Sequence, residues 1–320
     1  MPLPPENFRV DTTGIARRLV HELAVDTLAG RIEPLAEAVD LTGHPGLSEP
    51  SGIAIDAFGK FVVTDAATHR VLRFDKDGAW IGEMGSLGSD PGQLRRPIAV
   101  VTLGSLGVAV LDRENRRVVS YDLLGRRIGV LVDFASDDLT NVTGRVDPVA
   151  MASDRGGALY LADADRDRIL VFDFQGRYQR ELGGFGTKPG AFRGLSAIAT
   201  TPRGELVACE RGGQRVQVLD AGGRVVRAWP LDVERGRAPL AVAVDESLHV
   251  AVADGDWNMV RVFDRLGRLW AVSGDFTAPR ALAFAPDGTL LVAERLADAK
   301  SRVRRFALVN ATGAAPPKGD

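Results

Sequence analysis

A sixteen-residue block recurs six times in this chain, and no other feature constrains the fold as strongly. The copies are PSGIAIDAFGKFVVTD (Pro50 to Asp65), PIAVVTLGSLGVAVLD (Pro97 to Asp112) and PVAMASDRGGALYLAD (Pro148 to Asp163). They continue with LSAIATTPRGELVACE (Leu195 to Glu210), PLAVAVDESLHVAVAD (Pro239 to Asp254) and PRALAFAPDGTLLVAE (Pro279 to Glu294). First and last positions are 15 apart in every copy, five copies begin with Pro, and all end in Asp or Glu. An internal period of this size marks a solenoid, a propeller or an array.

The flanking segments choose among these. Runs such as GIAI, FVVT and RVLRF are β-branched and apolar, bounded by turn formers, and read as short strands. Third strands end at Asp75, Asp122, Asp173, Asp220 and Asp264, each followed three residues later by Gly. An Asp-x-x-Gly turn lets Asp cap its own loop and Gly take positive φ. A fourth strand follows in AWIGEM, RRIGVL, RYQREL, RVVRAW and RLWAVS. Four antiparallel strands per unit, with starts 47, 51, 47, 44 and 40 residues apart, predict an all-β, six-bladed β-propeller. A solenoid would need capped ends, and none is visible. No segment shows a sustained helical period.

The sixth copy reads SRVRRFA and lacks the Asp, the Gly and a fourth strand. Its exposed edge needs a partner, and residues near Ile32 to Val39 are expected to supply it. The expected organisation is a leader at 1–13, one propeller domain at 14–309 and a flexible tail at 310–320. Residues 14–26 remain as an extra edge strand or short helix.

Composition limits the chemistry. Forty Lys and Arg against 42 Asp and Glu, a net charge of -2, disfavour a generally basic nucleic-acid binder. The turns between blade-end carboxylates and the following Arg positions also sum to no net charge, so nucleic acid is not an expected partner. One cysteine excludes an intrachain disulfide framework and any multi-cysteine metal site. No run is long and apolar enough for a transmembrane helix. The first residues show no signal peptide. The expected location is extracytoplasmic if the chain is processed, cytoplasmic if Met1 is its native start.

The strings PSGIAID (50–56), VVTD (62–65) and HRVLRFDKDG (69–78), with cognates LYLAD (159–163) and RILVFDFQG (168–176), resemble NHL repeats. The similarity runs from Pro50 to Phe306. It implies a six-bladed propeller and leaves function open, because NHL propellers include enzymes, RNA binders, sensor domains and interaction scaffolds. An amidating lyase would need zinc held by several histidines. Here only His44 and His69 could share the long-loop face. Lactonase-like propellers use Glu, Asn and Asp around a divalent ion. Glu49, Asn115 and Asp165 are the nearest materials, with no local motif joining them.

The recurrent carboxylates are assigned to architecture. Asp65, Asp112, Asp163 and Glu210 are each followed five residues later by an arginine: Arg70, Arg117, Arg168 and Arg215. A pair across the connecting turn is expected. Function is expected where the repeat breaks. Repeat five places Trp257 in that turn, with Asp256 and Asn258 beside it and Met259 where Arg is expected. Trp257 is the expected anchor, framed by Arg211 and Arg295, with His69 as a further contact. The expected function is non-catalytic recognition of a protein, peptide or glycan through the long-loop face, with no cofactor and no metal. The alternative is a metal-assisted hydrolase or lyase with its site in the central funnel.

Overall fold

The computed structural model describes residues 28–35, 47–104, 106–231, 239–296 and 301–310. Residues 14–26, the tail beyond 310 and His44 lie outside them. The described chain forms six four-stranded antiparallel sheets. Blade one comprises Pro50–Ile55, Phe61–Asp65, Arg70–Phe74 and Trp80–Met84. Blades two to five repeat that order from Pro97, Pro148, Leu195 and Pro239. In blade six, Pro279–Phe284, Leu290–Arg295 and Ser301–Asn310 are joined by Gly30–Pro34 from the start of the chain.

First strands line the axis, and each contacts the first strand of both neighbouring blades, blade six returning to blade one. The ring is therefore closed. The closing strand pairs antiparallel with the last, Gly30 opposite Asn310 and Pro34 opposite Phe306. It is shorter than the expected 32–39 span and begins two residues earlier. Ile32 fixes that register, because it faces Leu308 and buries with Phe306 and Trp270.

No single core exists. Six apolar layers fill the spaces between adjacent blades. In blade three the second and third strands, sandwiched on both faces, are wholly buried and the fourth is largely turned to solvent; the fourth strand of blade five, beside the closing strand, is instead mostly buried. The Asp-x-x-Gly turns close as their sequence predicts. Asp173 Oδ1 accepts from the N–H groups of Gln175 and Arg177. The Arg177 N–H foremost, outweighing burial, holds the Asp173 carboxyl below its usual range. Gly176 has φ 79°, and a Cβ there would meet the Leu131 carbonyl oxygen at 1.8 Å.

One element was not visible in the sequence. The 132–147 connection holds a seven-residue helix, Asp137–Thr143, capped by Ser136. Two turns are too short to show a hydrophobic period. Among the described residues no helix is long and apolar enough to cross a membrane.

Every first strand has the same irregularity. Its first residue pairs with the blade-end carboxylate residue, its third pairs with the residue before, and the second is left out of the ladder. Proline at five of the six first positions has no N–H to give, which favours a bulge there. A bulge re-aims a side chain. Five of the residues left out, Ser51, Ile98, Val149, Leu240 and Arg280, line the space on the axis, while Ser196 donates to the Cys209 carbonyl.

Candidate functional site

The six blade-end carboxylates look like a ring of ligands, yet each is at most 1% exposed and occupied by the fold. Asp112 accepts from the Arg95 N–H at 2.6 Å, Asn115 Nδ2 at 2.7 Å and Arg117 Nε at 2.9 Å. Burial still pushes its carboxyl up. Asp163 accepts from the Asp147 N–H and from Arg168 Nε, both at 2.9 Å. Glu210 takes the Arg193 N–H at 2.9 Å, and Arg215 Nε and Gln217 Nε2 at 2.7 Å each. Glu294 takes the Thr277 N–H, Arg302 Nε and Arg304 Nε. The carboxylate thus ties the loop arriving from the preceding blade to the turn that follows it.

Two blades differ from the expected pairing. Arg70 turns away from Asp65 to Glu83, at 3.0 Å. The Asp65 oxygens are instead taken by the N–H groups of Ser48, Glu49, Ala67 and Thr68. In blade five the arginine is displaced rather than lost. Arg261, two residues after Met259 and so on the same strand face, sits 3.8 Å from Asp254. Burial, only partly offset by the Trp257 N–H, pushes the Asp254 carboxyl up.

The expected anchor is not at the surface. Trp257 is 8% exposed and packs with Met259, Val272 and Leu28. Asn258 is left-handed (φ 55°), as are His69, Arg116, Asp167 and Gln214 at the equivalent position of the other turns. Asn, Asp and His tolerate that region better than most residues. Their side chains then reach the next blade. His69 Nδ1 accepts the Arg96 N–H at 2.9 Å, Asp167 Oδ1 that of Leu195 at 2.8 Å, and Asn258 Oδ1 that of Ala278 at 2.7 Å. His69 and Asn258 are therefore ties between blades, and Trp257 is turned inward beside one of them. Truncating Trp257 to Ala should cost about 3–5 kcal/mol, the usual loss for a buried aromatic. Chemical denaturation measures this; an unchanged midpoint would return Trp257 to the surface.

Asp256, Arg211 and Arg295 are exposed. The position after each blade-end carboxylate reads Ala66, Arg113, Ala164, Arg211, Gly255 and Arg295. Alternate blades thus place an arginine on the long-loop face, in a pseudo-threefold arrangement. Arg113 bridges to Asp147 of the next blade at 2.9 Å, and Arg295 to Glu49 at 3.5 Å, where Arg96 also approaches at 3.8 Å. Arg211 has no carboxylate partner among the described residues.

The first strands, one step nearer the axis than the strands these arginines follow, line a central channel of about 300 Å³. Its wall is aliphatic with scattered Ser and Thr, and Arg280 is the one charged residue in it. The Arg280 Nε is buried without a hydrogen-bond partner. An unmet buried donor costs about 1–3 kcal/mol. Sequence reasoning passed Arg280 over. The signal was there: it is the one charge in a column otherwise filled by Ser, Ile, Val and Leu. No carboxylate or imidazole lines the channel among the described residues, and no group of three His, Cys, Asp or Glu is placed to hold a metal. Cys209 is fully buried, its thiol pushed up to about 12 by desolvation, so it is no nucleophile at neutral pH.

The short-turn face is not bare. Phe58 is 75% exposed there and Phe174 60%.

No family model matches the chain. Protein brain tumor of Drosophila melanogaster is 25% identical over 138 residues, 42% of this chain and 12% of that protein. The match therefore spans about an eighth of that relative. Among solved structures, a streptogramin B lyase superposes with TM-score 0.61 at 12% identity, covering 84% of this chain and 96% of that one. The virginiamycin B lyase of Staphylococcus aureus, with quinupristin, gives 0.60 at 13%, covering 83% and 97%. The RRP9 WD40 repeats give 0.59 at 15%, covering 87% and 99%. At these identities the likeness establishes the propeller fold alone.

Proposed function

We propose that this chain is a recognition propeller that binds a protein or peptide partner through its long-loop face, at the mouth of the central channel. The observation that carries the reading is the alternate-blade set Arg113, Arg211 and Arg295 around that mouth. These cations stand in a face whose recurrent carboxylates are buried, each accepting at least one backbone N–H group and four of them an arginine as well. The channel offers serine and threonine hydroxyls but, among the described residues, no carboxylate, imidazole or thiol beside them to act as acid or base, which favours recognition over hydrolase or lyase chemistry. The resemblance to a WD40 propeller and the partial match to an NHL-like protein are consistent with a scaffold role.

The test compares the two faces. A partner captured by cross-linking from the native organism is identified and its purified form titrated against variants. Arg211→Glu is expected to weaken binding at least tenfold with an unchanged melting temperature, because Arg211 is exposed and supports no carboxylate. Phe58→Ser, on the opposite face, should leave binding intact. The reverse pattern overturns the reading, as does a partner released by nuclease or by glycosidase.

A further inference from the structure

We propose that the central channel is a carboxylate site that receives the free C-terminal end of a peptide, with Arg280 as its terminal contact. This rests on the partner-binding reading and names what the partner presents.

Three observations converge on it. The bulge at the start of every first strand leaves one residue out of the ladder, and in five blades, blade six among them, that residue lines the channel. Five blades give that position a Ser or an aliphatic residue, and blade six gives it Arg280. Its Nε is buried and unmet by protein, while the blade-six carboxylate Glu294 is fully served by Arg302 and Arg304. Arg280 is thus a cation whose fold has assigned its natural counter-ion to others.

The shape of the space selects the ligand. A single guanidinium matches a single carboxylate with two parallel hydrogen bonds; a phosphate would ask for more donors than the aliphatic wall supplies. First strands close the channel on all sides, so a chain enters end-on rather than as a loop. A volume of about 300 Å³ is at the small end of ligand pockets and suits a terminal residue with an apolar side chain. Arg211 on the rim is left to meet an acidic group further up the peptide.

The probe is a display library of random decapeptides with free C-termini, followed by synthetic peptides as free acid and as C-terminal amide. Calorimetry should show the amide at least tenfold weaker than the acid. Arg280→Leu, which copies the residue blade five has there, should weaken the acid at least tenfold with a melting temperature unchanged or raised, since it removes an unmet buried donor. Arg280→Lys should recover part of the loss. If the leucine variant unfolds, the acid and amide pair on the unaltered chain decides alone. Equal binding of acid and amide overturns the carboxylate assignment and leaves the partner reading standing. If no peptide is selected but butyrate binds in an Arg280-dependent way, the carboxylate site stands, its source is a small organic acid, and the peptide assignment falls. If neither binds, both fall.

Discussion

Removing residues 1–40 lowers the unfolding free energy by at least about 4 kcal/mol and broadens the transition, as read by urea titration with tryptophan fluorescence. Gly30–Pro34 is the fourth strand of blade six, and its loss exposes the edge of Ser301–Asn310. It also uncovers one wall of the layer between blades five and six, where Ile32 meets Phe306, Leu308 and Trp270. Each large apolar side chain returned to water forfeits about 1.5–3 kcal/mol, against a usual total of about 5–15 kcal/mol. Because every blade is buried only by its neighbours, an opened seam weakens the whole ring. Gly30→Val tests the same contact more gently. A Cβ at Gly30 would lie 2.2 Å from the Trp270 ring, and overpacking of this kind costs about 1–3 kcal/mol. A truncated chain that unfolds like the intact one would remove the closing role from this strand.

The arginines at the start of the third strands should fall into two classes, although their sequence position is the same. Arg168 is 4% exposed, holds Asp163 at 2.9 Å, reaches Glu181 and donates to the Thr143 carbonyl. Arg168→Ala leaves Asp163 charged and buried, and breaking a buried pair from one side costs about 3–5 kcal/mol. Among the described residues Arg70 pairs with Glu83, and both side chains are about 40% exposed (42% and 39%). Arg70→Ala should cost under about 1 kcal/mol. Equal losses in the two variants would mean that position in the repeat, not the contacts made, sets the energy.

The architecture was legible because a propeller writes each blade into the chain separately. The six-copy register, the Asp-x-x-Gly turns and the missing fourth strand of copy six together specify blade number and the need for an early closing strand. The register of that strand was less legible. It is set by Ile32 facing Leu308, a contact between residues nearly a whole chain apart. The site was read less well, and for identifiable reasons. Trp257 looks like a surface aromatic in a turn, but it packs with Met259, Val272 and Leu28, and a contact with a residue so distant in the chain is not written in the repeat. Arg261 serves Asp254 from a position two residues on, because a strand offers the same face at i and i+2. The place of Arg280 on the channel was not legible, because the bulge that sets it leaves no mark in the spacing of the repeat.

The closing ladder has a consequence for synthesis. Gly30 and Asn310 are paired across about 280 residues of chain, and translation proceeds at about 5–20 residues per second. The strand made first therefore waits on the order of 15–60 seconds on the nascent chain before its partner emerges. Throughout that interval blades one to five can assemble against one another, while blade five has no sixth neighbour and Trp270 has no Gly30 to cover it. A nascent chain of this design keeps that surface uncovered until Ser301–Asn310 has emerged. Chaperone dependence should accordingly concentrate on the synthesis of blade six rather than on the early blades.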